Sequence, residues 1–128
     1  MLTVEVSNRS GVQVEGDAAA ELARAVLAAE GIGNGELGLA FVDPDEMRRL
    51  KRTHLAIDEP TDVLAFPIDG RDELPADVPR QLGDVVLCPN IVGENWRQPL
   101  VHGLLHLLGH DHGQAMEERE RAYAVTLS

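Results

Sequence analysis

The chain has 128 residues, 44% hydrophobic and 26% charged, a size that suits a single domain over 1–128 and is too short for two well-cored ones. Eleven Lys and Arg against 22 Asp and Glu leave a formal charge of −11, which excludes holding nucleic acid through one broad basic surface. Aromatics at 3% argue against a base-stacking platform, and the one cysteine, Cys88, cannot form an internal disulfide. Apolar runs are strand length, far below the ~20 residues that cross a bilayer. Met1 to Gly11 lacks the basic and apolar blocks of a secretory signal, so the expected setting is the cytoplasm.

Leu2 to Val6 alternates apolar and polar residues as a half-buried strand does, and Asn8 to Gly11 supplies turn chemistry. Ala18 to Glu30 is rich in helix formers, with Asp17 as the candidate N-cap and Gly31 as the stop. Leu37 to Val42 reads as a second strand. Asp43-Pro44-Asp45-Glu46 then opens a second helix, with Asp43 capping, Pro44 at the first helical position and Glu46 completing a capping-box pattern. That helix runs to about His54 and carries Arg48, Arg49, Lys51 and Arg52. Asp58 to Thr61 reads as a turn, Asp62 to Ile68 as a β-rich segment, Asp69 to Gln81 as a polar loop, and Val85 to Cys88 as a strand stopped by Pro89-Asn90. Pro99 can start a helix that continues to Gly109, and Gln114 to Thr126 is helix-prone with an acidic first half. The order β, α, β, α, β, β, α, α predicts an α+β domain with a small mixed sheet.

Four of the five histidines fall between His102 and His112. On a helix His102 and His106 sit one turn apart on one face, while Val101, Leu104, Leu105 and Leu108 form an apolar stripe on another. Gly109 is placed to end the helix in a left-handed conformation, which would turn His112 back toward the pair. Three neutral imidazoles converging on one ion suit Zn²⁺ and leave a coordination position open, the catalytic arrangement. The spacing H-x3-H-x5-H matches the metzincin peptidase motif, except that Gly103 stands where those enzymes carry the glutamate general base. A peptidase is therefore disfavoured. Glycine also costs about 1 kcal/mol in a helix interior relative to alanine, so either substrate or a packed neighbouring strand is expected to approach the backbone there.

The run His102-Gly103-x-Leu105-His106-Leu107-x-Gly109-x-Asp111-His112 closely resembles the H-G-x-L-H-L-x-G-[YH]-D-H signature of the YbeY family of metal-dependent endoribonucleases. Asp58 to Pro67 resembles that family's D-x-P-T-[DN]-V-L-[SA]-F-P segment, and Leu82 to Cys88 its L-G-D-[IV]-x-[IV]-[CS] strand. The resemblance implies a four-stranded mixed sheet packed with helices, a metal-binding helix near the C-terminus, and one Zn²⁺ held by His102, His106 and His112. It implies cleavage of single-stranded RNA in 16S rRNA 3′-end maturation, a role in ribosome quality control, and rRNA with the ribosomal subunit or its proteins as partners, without DNA or membrane. Three departures stand out. His54 to Ile57 lacks the arginine common before the D-x-P-T segment, Asn90 to Gln98 is shorter than the usual helical connection, and His110 replaces the common tyrosine.

Asp111 is a candidate to orient a ligand histidine from behind, with capping of the helix end as an equal alternative. Asp84 is weighed as a neighbour of the metal against a strand-end hydrogen bond, the latter favoured. For His110 a role outside the ligand set is favoured. The Arg48 to Arg52 cluster is the candidate phosphate contact, balanced against a solvated helix face supported by nearby acids. Cys88 reads as a small core residue. Competing functions are a zinc-binding ribosome-assembly factor with little nuclease activity and a metallohydrolase of another substrate class.

Overall fold

Strand β1 (Leu2–Arg9) is followed by α1 (Gly16–Ala29), β2 (Gly35–Val42), α2 (Pro44–His54), β3 (Val63–Pro67), β4 (Gln81–Leu87), α3 (Pro89–Val92), α4 (Arg97–Leu107) and α5 (Gln114–Thr126). The computed structural model describes residues 1–54, 63–110 and 113–126. The strands form one mixed sheet in the order β1-β2-β4-β3, with β1, β2 and β4 parallel and β3 antiparallel to β4 at one edge.

Strand pleating sends alternate residues to opposite faces. Leu37, Leu39 and Phe41 of β2, Val63 and Ala65 of β3, and Val85 and Leu87 of β4 share the larger core with Leu22, Val26 and Leu27 of α1 and Leu100, Val101, Leu104 and Leu105 of α4. The other face carries Val42, Leu64, Val86 and Cys88 against Met47, with Ala40, Leu50 and Phe66 packed beside them. Helices α1 and α4 therefore cover one face and α2 the other. Leu82 departs from the alternation. The pairing with β2 slips between Glu36 and Leu37, which leaves Leu82 as an extra residue and keeps it fully buried on the α1–α4 side.

Most of the expected elements form, with shifted ends. β1 continues to Arg9, so Asn8 is a strand residue as well as the start of the turn; its side chain accepts from the Ser10 backbone N–H and donates to the Val12 carbonyl. The N-cap of α1 is Glu15 rather than Asp17, which lies inside the first turn where a carboxylate faces the positive helix end. At α2 the Glu46 backbone N–H donates to Asp43 Oδ1 at 2.8 Å, as the capping pattern requires. The Glu46 carboxylate instead accepts from Arg9 at 2.7 Å, tying α2 to the end of β1. β4 begins four residues before Val85, at Gln81, because Glu36 of β2 pairs with Gln81 and Pro67 of β3 pairs with Gly83. The connection after β4 holds a single helical turn, α3, consistent with its shortness. α4 starts at Arg97, two residues before Pro99, with Trp96 as its N-cap. Trp96 is buried, and its indole N–H donates to Glu15 Oε2 at 3.0 Å, so the N-terminal ends of α1 and α4 are joined.

Candidate metal centre

Helix α4 is held by its apolar side. Val101, Leu104 and Leu105 have no exposed surface and Leu108 is 4% exposed, so the expected stripe faces the sheet and α1. His102 and His106 lie off that stripe and are half-buried. Their rings meet edge to face with centroids 4.6 Å apart and planes 76° apart. Two adjacent imidazoles one turn apart are of the donor type that suits a nitrogen-preferring ion such as Zn²⁺. Among the described residues no three His, Cys, Asp or Glu side chains converge closely enough to hold a metal. His112 and Asp111 lie outside the described residues, as do Asp58 to Asp62.

Gly103 lies against β-strand side chains. A Cβ built on it would sit 2.8 Å from Val85 Cγ1 and 3.1 Å from Val63 Cγ2. The neighbour that requires glycine is thus the packed sheet, which decides between the two causes expected from the sequence. It also means that the position occupied by a glutamate in zinc peptidases is directed into the core.

The end of α4 follows the expected left-handed termination. Gly109 has φ +90°, its N–H donates to the His106 carbonyl, and the His110 N–H donates to the Leu105 carbonyl, both at 3.0 Å. These are the two bonds of a Schellman motif, and they reverse the chain immediately before Asp111-His112. His110 then finds a partner away from the histidine pair. Its Nε2 lies 2.7 Å from Oε1 of Glu30, at the end of α1.

Glu30 is the hub of a buried network that the sequence did not announce. Its side chain is 1% exposed. Besides His110, Oε1 accepts from Arg71 at 3.0 Å, and Oε2 accepts from Arg119 at 2.7 Å and from the Tyr123 hydroxyl at 2.6 Å. Burial pushes the carboxyl pKa up, but the hydrogen bonds from Tyr123, His110 and Arg119 outweigh it and hold the value at about 2. Burial, and after it the same carboxylate, raises the Tyr123 pKa. Glu30 therefore fixes the chain just beyond α4 by joining it to α1, the β3–β4 loop and α5.

A second inward carboxylate reaches the histidine pair itself. Glu120 on α5 is 8% exposed, and its Oε2 lies 3.3 Å from His102 Nδ1. Met116, one turn earlier, is buried in the main core, and Tyr123 and Ala124 pack against that core, so one stripe of α5 faces α4. The signal was in the sequence: Glu120 follows Met116 by four positions, whereas Glu117 and Glu118 fall on the exposed side.

Other candidates are elsewhere. Asp84 projects to the α2 face of the sheet, opposite α4, in a groove of about 760 Å³ with Glu5, Ser7, Gly38, Leu50 and Phe66. A Cβ on Gly38 would overlap its carboxylate. Asp84 is therefore not a neighbour of the histidine pair. Arg48, Arg49 and Arg52 are exposed on α2 and Lys51 is half-buried, with Arg48 ion-paired to Asp45. Since α2 and α4 cover opposite faces of the sheet, the basic cluster and the histidine pair lie on helices of opposite faces. Cys88 is fully buried, and burial raises its thiol pKa, which suits the core role.

A four-stranded mixed sheet backing a helix with two half-buried histidines one turn apart, its C-terminal end locked by a left-handed glycine, defines a small α+β domain. The family profile described as Endoribonuclease YbeY matches residues 5–125. Proteins named Endoribonuclease YbeY from Salinispora tropica and Mycobacterium ulcerans are 38% and 35% identical to it; the alignments cover 93% of this chain and 88% and 76% of theirs. The solution structure of TM1509 from Thermotoga maritima superposes with a TM-score of 0.53 at 28% identity, covering 97% of this chain and 87% of that one. The chain belongs to the endoribonuclease YbeY family, whose name denotes hydrolytic cutting within RNA.

Proposed function

We propose that this protein is a single-strand-specific, zinc-dependent endoribonuclease, acting as one domain in the cytoplasm in 16S rRNA 3′-end maturation and ribosome quality control. The observation that carries the reading is the His102–His106 pair: adjacent, half-buried rings on a helix whose other side is sealed into the core, in a chain of this family. The donor set of His102, His106 and His112 fits zinc. Bound there, zinc supplies Lewis acidity toward a phosphoryl oxygen and an activated nucleophile.

The chain's own residues do the positioning. Core packing of Leu100, Val101, Leu104 and Leu105 fixes the helix and with it the backbone positions of His102 and His106. The Schellman turn and the Glu30–His110 bond fix His110, the last described residue before Asp111-His112. Arg48, Arg49, Lys51 and Arg52 are the phosphate contacts in this reading. The burial of Gly103 against Val85 and Val63 supports RNA over peptide as substrate, because no general base can stand at that position without displacing the sheet. With few cations available on a chain of charge −11, delivery to rRNA relies on the ribosomal subunit or its proteins.

The test pairs metal content with cleavage of a single-stranded rRNA fragment by wild type and His102→Ala at equal purity. Loss of both zinc and cleavage in the variant is expected; equal cleavage by the two proteins would refute the reading. A substrate with 2′-deoxyribose at the scissile position then distinguishes internal 2′-oxygen attack, which it abolishes, from attack by water, which it leaves intact.

A further inference from the structure

Burying a carboxylate is costly unless it is hydrogen-bonded. α5 has three glutamates in its first two turns, Glu117, Glu118 and Glu120, and buries only Glu120. The buried one is placed by Met116 below it and by Tyr123 and Ala124 above it, all on the α4-facing stripe. Its Oε2 meets His102 at Nδ1, 3.3 Å away, with both side chains largely shielded at 11% and 17% exposure.

The ring nitrogen engaged matters. A neutral imidazole carries one N–H, and a carboxylate can only accept. With Nδ1–H donated to Glu120, the proton is fixed on Nδ1 and the lone pair on Nε2, the nitrogen across the ring. The carboxylate also makes that lone pair more basic and stops the ring from rotating. We propose that Glu120 is the positioning residue of the metal centre: it selects the Nδ1–H tautomer of His102 and holds Nε2 ready for the metal. This rests on the reading of His102 as a metal ligand, and it gives the orienting role to a residue of α5 rather than to Asp111.

The experiment compares metal-free wild type, Glu120→Gln, Glu120→Ala and His102→Ala. Two quantities are read: zinc affinity by competition with a chromophoric chelator, and the His102 tautomer from imidazole ¹⁵N shifts at a pH where the ring is neutral. Wild-type His102 is expected to carry its proton on Nδ1. Glu120→Ala should bind zinc about 10- to 100-fold more weakly and shift His102 toward the Nε2–H form. Glu120→Gln is nearly isosteric and keeps an accepting oxygen without the charge, so it should fall between; it also carries the test if the alanine variant fails to fold. An Nε2–H tautomer in wild type, or zinc binding within about twofold of wild type in both Glu120 variants while His102→Ala has lost it, overturns the positioning role. Undiminished zinc binding by His102→Ala refutes the underlying ligand assignment, and the positioning role with it. An arrangement that only stabilised the fold would lower the thermal stability of the metal-free variants and leave the tautomer and the affinity unchanged.

Discussion

Replacing Glu30 by glutamine tests whether one buried carboxylate holds four elements together. The carboxyl is 1% exposed and bonded by Arg71, His110, Arg119 and Tyr123. Its pKa falls from 4.5 to about 2 on folding. Each unit is worth about 1.4 kcal/mol, so ionised Glu30 contributes about 3 kcal/mol to stability. The folded-state value is the lower one, so this contribution is complete above 4.5 and disappears as the pH falls toward 2. Glutamine keeps the shape, removes the charge and turns an NH₂ toward groups that are themselves donors. Glu30→Gln should therefore cost about 3–5 kcal/mol at neutral pH, within the range for breaking a buried ion pair. Urea unfolding followed by Trp96 fluorescence gives the difference from wild type, measured at neutral pH and again near the lower limit of the titration. The gap should shrink by about 3 kcal/mol over that interval. A cost below about 1 kcal/mol at neutral pH, or a gap that does not narrow on acidification, would show that the network does not stabilise the fold in this way.

Three further outcomes follow from other parts of the structure. Gly103→Ala places a methyl group 2.8 Å from Val85 Cγ1; although alanine favours a helix, the clash should leave the variant about 1–3 kcal/mol less stable, and adding Val85→Ala should recover part of the loss in a denaturation cycle. Asp43→Ala removes the acceptor of the Glu46 N–H and should lower stability by about 1 kcal/mol, read as a reduced urea midpoint at constant m-value. If RNA contact is limited to the four cations of α2, the logarithmic salt dependence of single-strand binding should be no steeper than about −3, and Arg49→Ala should make it shallower by somewhat under one unit; a steeper slope means that other cations bind the backbone.

The elements with strong local signals were legible in the sequence. Asp43-Pro44 marks the start of α2, and Gly109 marks the end of α4; both depend on backbone bonds within a few residues, and both form. The His102–His106 adjacency is similarly local, since helical spacing alone brings the rings together. The termini that moved depend on distant chain. β4 starts at Gln81 because Glu36 of β2 is there to pair with it, and α4 starts at Arg97 with Trp96 anchored to Glu15. The two buried carboxylates are the clearest misses. Glu30 ends an ordinary alanine-rich helix, and its partners lie 41 to 93 residues further along the chain. Glu120 is hidden in a charged run, where only its spacing from Met116 marks it as inward. The family resemblance carried the substrate class, which neither periodicity nor charge could supply.

The complete burial of Cys88 has a practical consequence. The thiol is buried in the cluster that Val42, Leu64 and Val86 form with Met47 of α2, with its pKa raised by burial, so a water-soluble alkylating reagent can reach it only when that cluster opens. As the chain's one cysteine, it makes labelling rate a direct clock for that opening. Labelling at increasing urea would separate opening of the smaller core beneath α2 from unfolding of the larger core that carries the histidine helix.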